Sequence, residues 1–145
     1  MDENLELLEY IYKNAEMGAY SSEKLIQDIN GKENKIKKPL EGILKGYEKF
    51  KQDSKKMIKK NKYQLETSGI MAKMNSSISM KMRVAMDNSD SAIAKLLTEG
   101  LTMGCVDITA KIDRYEKDAD KKIIKMAKDY LKFQKEAIDF LKDYL

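Results

Sequence analysis

Gln134-Lys135-Glu136-Ala137-Ile138-Asp139-Phe140-Leu141 is the stretch that decides how this chain is read. An inward stripe enters it from the N-terminal side: Ile123, Ala127, Tyr130 or Leu131, Gln134, Ala137 or Ile138, and Leu141. Steps of three and four put these positions on one face of an α-helix, predicted from about Lys117 to Tyr144. Gln134 falls on that face in mid-helix. A buried amide without partners costs on the order of 1–3 kcal/mol, so Gln134 calls for hydrogen-bond partners on neighbouring helices.

The same spacing recurs upstream. The first helix is predicted from about Glu3 to Ile29, with Leu5, Leu8, Tyr12, Ala15, Ala19, Ser22, Ile26 and Ile29 inward. Asn30-Gly31 stops it, because Gly31 can take the left-handed conformation past a helix end. The second helix starts between Asn34 and Lys38, since Pro39 is tolerated only near a helix start. Its inward face is Ile36, Leu40, Ile43, Tyr47, Phe50, Ser54 and Met57. Lys55, Lys56, Lys59, Lys60 and Lys62 crowd its C-terminal end, where they complement the helix dipole; an anionic partner is the other use for them. After a loop over Asn61–Gly69, a shorter Met-rich helix is expected from about Ile70 to Met86. Asp87-Asn88-Ser89-Asp90 breaks it, and Ser89 or Asp90 caps a third long helix reaching about Tyr115. That helix turns Ile93, Leu97, Gly100, Gly104, Ile108 and Ile112 inward.

Composition agrees with four long helices. The chain has 145 residues, 42% hydrophobic and 36% charged, with 7 Gly and 1 Pro, which leaves little material for sheet turns. The length fits a single four-helix-bundle domain over residues 1–145. The long helices measure roughly 25 to 28 residues each, about 40 Å, and near-equal lengths favour a bundle. Residues 61–88 are too many for a tight turn between antiparallel neighbours. They suit a crossover from one end of the bundle to the other, the alternative being an up-down bundle with a fifth helix laid across one end. Small residues at helical spacing (Ala15, Gly18, Ala19 and Ser22 in the first helix, Gly100 and Gly104 in the third) predict that these two helices pack on each other.

Several function classes are disfavoured. A net charge of +4 from 28 basic and 24 acidic residues is mixed, without the concentrated basic patch of a nucleic-acid binder. The single Cys105 fits a reducing compartment, no apolar run approaches a bilayer-spanning length, and Met-Asp-Glu-Asn does not begin like a signal peptide. The expectation is a cytoplasmic protein with neither membrane nor nucleic-acid partners. Catalysis finds no support. There is no histidine, no Gly-rich phosphate loop and no nucleophile–base pair, and Cys105 lies on a packed face without an activating partner. Ten methionines raise the question of Cu(I). Yet Met71, Met74, Ile78, Met82 and Ala85 form an ordinary apolar stripe, and Met80 and Met82 project about 200° apart on a helix. Exposed methionines on that helix would suit a protein partner.

The chain resembles the ferritin-like superfamily, and within it small bacterial four-helix proteins. The resemblance rests on Asn14-Ala15-Glu16-Met17-Gly18, Tyr47-Glu48-Lys49-Phe50, the run from Ile93 to Gly104, and the Gln134–Leu141 segment. It implies an all-α, ferritin-like four-helix bundle with an additional short helix in the long crossover between the second and third long helices. In the superfamily the last segment reads Glu-x-x-His before Ile-Asp-Trp-Leu and binds a di-iron site. Here Gln134 stands at the Glu position and Ala137 at the His position. Such sites take a Glu from each of two helices and Glu-x-x-His from the other two. Glu16, Glu48 and Glu99 could occupy carboxylate positions, but a neutral amide cannot supply the missing anionic oxygen. No cofactor and no metal site are therefore expected.

Two arrangements remain for the centre. One is a polar cluster of Tyr12, Tyr47, Asp107 and Gln134 that fixes helix register; in its place Gln134 could point, partly exposed, between helices. The other is a carboxylate site for a ligand or metal from Glu16, Glu48, Glu99 and Asp107. The expected role is a non-enzymatic structural or protein-interaction module forming a homo-oligomer, with the ligand- or metal-binding bundle as the alternative. The C-terminal Leu141, Tyr144 and Leu145 are candidates for packing on the bundle or on a neighbouring subunit.

Overall fold

A computed structural model describes residues 2–64 and 88–145, and within them every regular element is helical. Helix α1 spans Glu3–Asp28, α2 Lys37–Lys60, α3 Asp90–Tyr115 and α4 Lys121–Leu141, followed by a short 3₁₀ turn at Lys142–Tyr144. The expected Met-rich helix over Ile70–Met86 lies outside the described residues.

Each boundary has a local cause. Asp2 accepts a hydrogen bond from the Asn4 backbone N–H at 2.8 Å and opens α1, with Glu3 and Glu6 set against the positive end of the helix dipole. Gly31, at φ +81°, turns the chain after α1. Ser89 caps α3 by accepting from the Ala92 N–H at 3.2 Å. Asp120 accepts from the Lys122 N–H at 2.9 Å. That cap starts α4 at Lys121 rather than near Lys117, because residues 116–119 are used in the turn from α3.

Helix α2 has no side-chain cap of its own at Ile36. The missing acceptor comes from α3. The Asp90 carboxylate receives the Lys35 and Ile36 backbone N–H groups at 3.0 and 3.4 Å and the Asn34 amide at 2.9 Å. One carboxylate thus serves the first turn of α3 and the backbone N–H groups just before α2, and it pins the starts of these two helices together.

The helix directions follow from such end contacts. At the far end, the Tyr63 hydroxyl donates to Asp2 at 2.7 Å and the Asp120 N–H donates to Asn4 Oδ1 at 2.7 Å. The Tyr115 hydroxyl donates to Glu6, which also faces Lys111 at 3.6 Å. The starts of α1 and α4 therefore share an end with the last residues of α2 and α3. Helices α1 and α4 run one way, and α2 and α3 the other. The connection from Asn61 to Ser89 joins opposite ends of a bundle about 36 Å long across α2.

Helices α1 and α2 pack along their length, as do α3 and α4; α1 also touches α3 and α4, and α2 touches α4. Because α1 meets all three neighbours, its buried face is wider than one stripe. Leu7, Ile11 and Leu25 join Leu8, Tyr12, Ala15, Ala19, Ser22 and Ile29 in the core, whereas Leu5 and Ile26 are half-buried. On α2, Ile58 takes the buried place expected of Met57. On α3, Leu101 is buried and Gly100 exposed.

The small-residue patches do not join α1 to α3 as the spacing suggested. A Cβ on Gly18 would lie 2.4 Å from the Tyr47 ring of α2, and one on Gly104 would lie 2.2 Å from Gln134 Nε2 of α4. Each glycine makes room for one large side chain within its own helix pair. A Cβ on Gly100 would meet nothing within 4 Å among the described residues.

Candidate functional site

Among the described residues the core is apolar except for a few uncharged polar side chains. Gln134, Ser22 and Ser54 are the polar residues among the described buried ones, and Gln134 is 0% exposed. Gln134 Nε2 donates to Asn14 Oδ1 at 3.3 Å, and the Tyr130 hydroxyl donates to the same oxygen. One carboxamide oxygen on α1 thus receives two donors from α4. Gln134 Oε1 has no hydrogen-bond partner among the described residues. Ser54 satisfies itself by donating to the Phe50 carbonyl at 2.6 Å within its own helix.

Aromatic rings flank this centre. Tyr47 meets Phe133 edge-on at 5.1 Å, and Phe50 meets Tyr130 at 5.1 Å. Phe133 reaches α2 because Gly46 has no side chain; a Cβ there would fall 2.0 Å from its ring. Such ring contacts add about 0.5–1.5 kcal/mol beyond the area they bury. They also fix the ring of Tyr130, and through it the direction of its hydroxyl.

The four residues expected to form the central cluster are divided. Tyr47 and Gln134 are both buried, but Gln134 takes Asn14 as its partner rather than Tyr12, Tyr47 or Asp107. Tyr12 donates to Glu16 on its own helix at 3.0 Å. Asp107 is exposed and accepts from Tyr10 at 3.3 Å. Its position between the inward Gly104 and Ile108 turns it out toward α1 rather than into the centre. Asn14 is the residue that the sequence reading missed. It stands on the stripe Leu7, Ile11, Asn14, Gly18, whose three- and four-residue steps are as regular as the stripe one residue along.

The alternative carboxylate site does not assemble either. Glu16 and Glu48 are half-buried, while Glu99 and Asp107 are exposed. Among the described residues no three Asp, Glu, Cys or His side chains come together at a spacing that could hold a metal ion. Cys105 is half-buried, and burial pushes its thiol pKa up against a smaller opposing pull from Lys135. A thiol held protonated is a poor nucleophile.

Burial pushes Tyr47, Tyr130 and Tyr10 well above the ordinary phenol value; for Tyr10, the Asp107 charge adds to the effect. Their folded pKa values are raised above the unfolded value of about 10. The stability they contribute is complete below about pH 10 and is lost as pH rises above it. In an alkaline titration followed at 295 nm, these three of the eight tyrosines should ionise only as helical circular dichroism collapses. Ionisation of all eight near pH 10 with the helices intact would contradict their burial. At the acid end, the Tyr115 hydroxyl and, behind it, Lys111 hold the Glu6 carboxyl below its ordinary value against the opposing effect of desolvation.

Recesses lie between the described helices. One, about 520 Å³, lies between α2 and α4 and is lined by Pro39, Gly42, Ile43, Phe133, Ala137 and Phe140, with Lys35, Lys38 and Glu136 also in its wall. Phe140 is 66% exposed beside it, and Leu145 is 58% exposed at the same end of α4. Another, about 300 Å³, lies between α1 and α3. No described helix is long and apolar enough to cross a membrane. No protein-family model, curated protein or solved structure matches this chain.

Proposed function

We propose that this chain is a non-enzymatic interaction module of ferritin-like architecture, which self-associates through the end of α4. The helix directions support the architecture: α2 and α3 run the same way, and their connection joins opposite ends of the bundle. The neutral centre supports the non-enzymatic reading, because Gln134, at the position where the resemblance calls for a carboxylate, is tied up with the equally neutral Asn14, which also accepts from Tyr130.

The observation that carries the reading is the exposed Phe140 beside an apolar recess of about 520 Å³. An exposed aromatic ring next to an apolar hollow is self-complementary under a two-fold axis: each copy offers one ring and one hollow. Leu145 extends the same surface. Light scattering with size-exclusion chromatography should give a dimer or larger assembly for the wild-type chain at about 50–100 µM, the range in which a micromolar affinity is populated. Phe140→Asp should give a monomer with unchanged helix content, since the ring supports nothing internal. A wild-type monomer, or a Phe140→Asp variant with the wild-type mass, would overturn the proposal.

A further inference from the structure

We infer that the recess between α1 and α3 is a binding site for a small uncharged molecule with an apolar body and one hydrogen-bond acceptor. The recess, about 300 Å³, is at the small end of ligand cavities. Among the described residues none of the side chains lining it is charged. Leu97 and the Tyr47 ring supply apolar wall, and the ring reaches it because Gly18 carries no side chain. Gly100 leaves the α3 side open.

Two polar groups mark the recess as more than a packing gap. Ser22 lines it and is 0% exposed, yet its hydroxyl has no hydrogen-bond partner among the described residues. A helical serine ordinarily returns its proton to a carbonyl one turn back, as Ser54 does here. A buried hydroxyl left unbonded costs the free protein stability that a ligand can restore.

Asn14 also lines the recess. Its Oδ1 is taken by Tyr130 and Gln134, which fixes the orientation of the carboxamide. Its Nδ2 makes no hydrogen bond among the described residues and remains a donor. A fixed donor selects an acceptor such as a carbonyl oxygen. With no cation among the described residues that line the recess, a carboxylate is disfavoured, because its desolvation would go uncompensated. The inference stands apart from self-association, which uses α2 and α4.

The test uses acetanilide as probe, with phenylacetate and n-propylbenzene as controls, read by amide chemical shifts of the full chain. Acetanilide should produce saturable shifts at Gly18, Ser22 and Gly100. Phenylacetate should bind at least about ten-fold more weakly, and n-propylbenzene about five-fold more weakly for want of the acceptor. Gly100→Leu fills the recess from a position with open space and should abolish the shifts. Ser22→Ala should weaken acetanilide by about five-fold while raising the melting temperature of the free protein, because it removes the unbonded hydroxyl. The site is overturned by shifts that do not saturate or that centre elsewhere. It is equally overturned by Gly100→Leu binding as the wild type does, by phenylacetate matching acetanilide, or by Ser22→Ala lowering the melting temperature.

Discussion

Asn14→Ala is expected to destabilise the fold by about 3 kcal/mol, more than truncation of a half-buried polar residue normally does. The reason is the geometry around Asn14 Oδ1. Removing it strands two buried donors at once, the Tyr130 hydroxyl and Gln134 Nε2, in a helix whose Gln134 Oε1 is already unpartnered. Neither donor can turn elsewhere: Tyr130 is held among Tyr47, Phe50 and Phe133, and Gln134 is held against Gly104. Urea denaturation measures the effect. The same experiment on Asn14→Leu combined with Tyr130→Phe and Gln134→Met should recover most of the loss, since replacing every member of a buried polar group by apolar residues of similar shape is nearly neutral. A single Asn14→Ala variant as stable as the wild type would mean that the cluster does not form.

The second large effect is expected at Gly18. A methyl group there would overlap the Tyr47 ring, which is buried and cannot move without displacing Phe133 and Tyr130. Overpacking of this kind typically costs about 1–3 kcal/mol. The gain from replacing a helical glycine offsets up to about 1 kcal/mol of that. Gly18→Ala should therefore lose about 1–2 kcal/mol, or roughly 2–8 °C in melting temperature for a chain of this size. Gly100→Ala is the control. It is also mid-helix, but its Cβ meets open space, so it should gain up to about 1 kcal/mol. Opposite signs at two helical glycines separate close approach from tolerance. Equal effects at both sites would remove the steric argument.

Much of the fold is legible in the sequence because local signals and burial agree. Helix α2 illustrates this. Pro39 in its first turn fixes where it begins, and Ile36, Leu40, Ile43, Tyr47, Phe50 and Ser54 form one stripe that is buried throughout. Ser89 announces the start of α3 in the same way. What sequence conveys poorly is partner choice between helices. Gly18 and Gly104 show that two small faces exist, but which large side chain fills each depends on Tyr47 and Gln134 arriving from other helices. The central cluster was misread for a related reason. Tyr12, Asn14 and Ala15 all border the buried face of α1, and periodicity does not say which polar side chain reaches the middle. Asp90 shows the same limit. As a residue of the first turn of α3 it is ordinary, and its service to the start of α2 exists only once the bundle is assembled.

Asn14, Tyr130 and Gln134 form a neutral hydrogen-bonded group in the middle of the bundle, with no anionic oxygen among them to hold a metal ion. The most direct measurement is native mass spectrometry with elemental analysis of the untagged chain, purified without chelator and then exposed to iron(II) and manganese(II). The expected mass is that of the metal-free polypeptide or its oligomer, with iron and manganese well below one equivalent per chain. One or two tightly held metal ions per chain would contradict it.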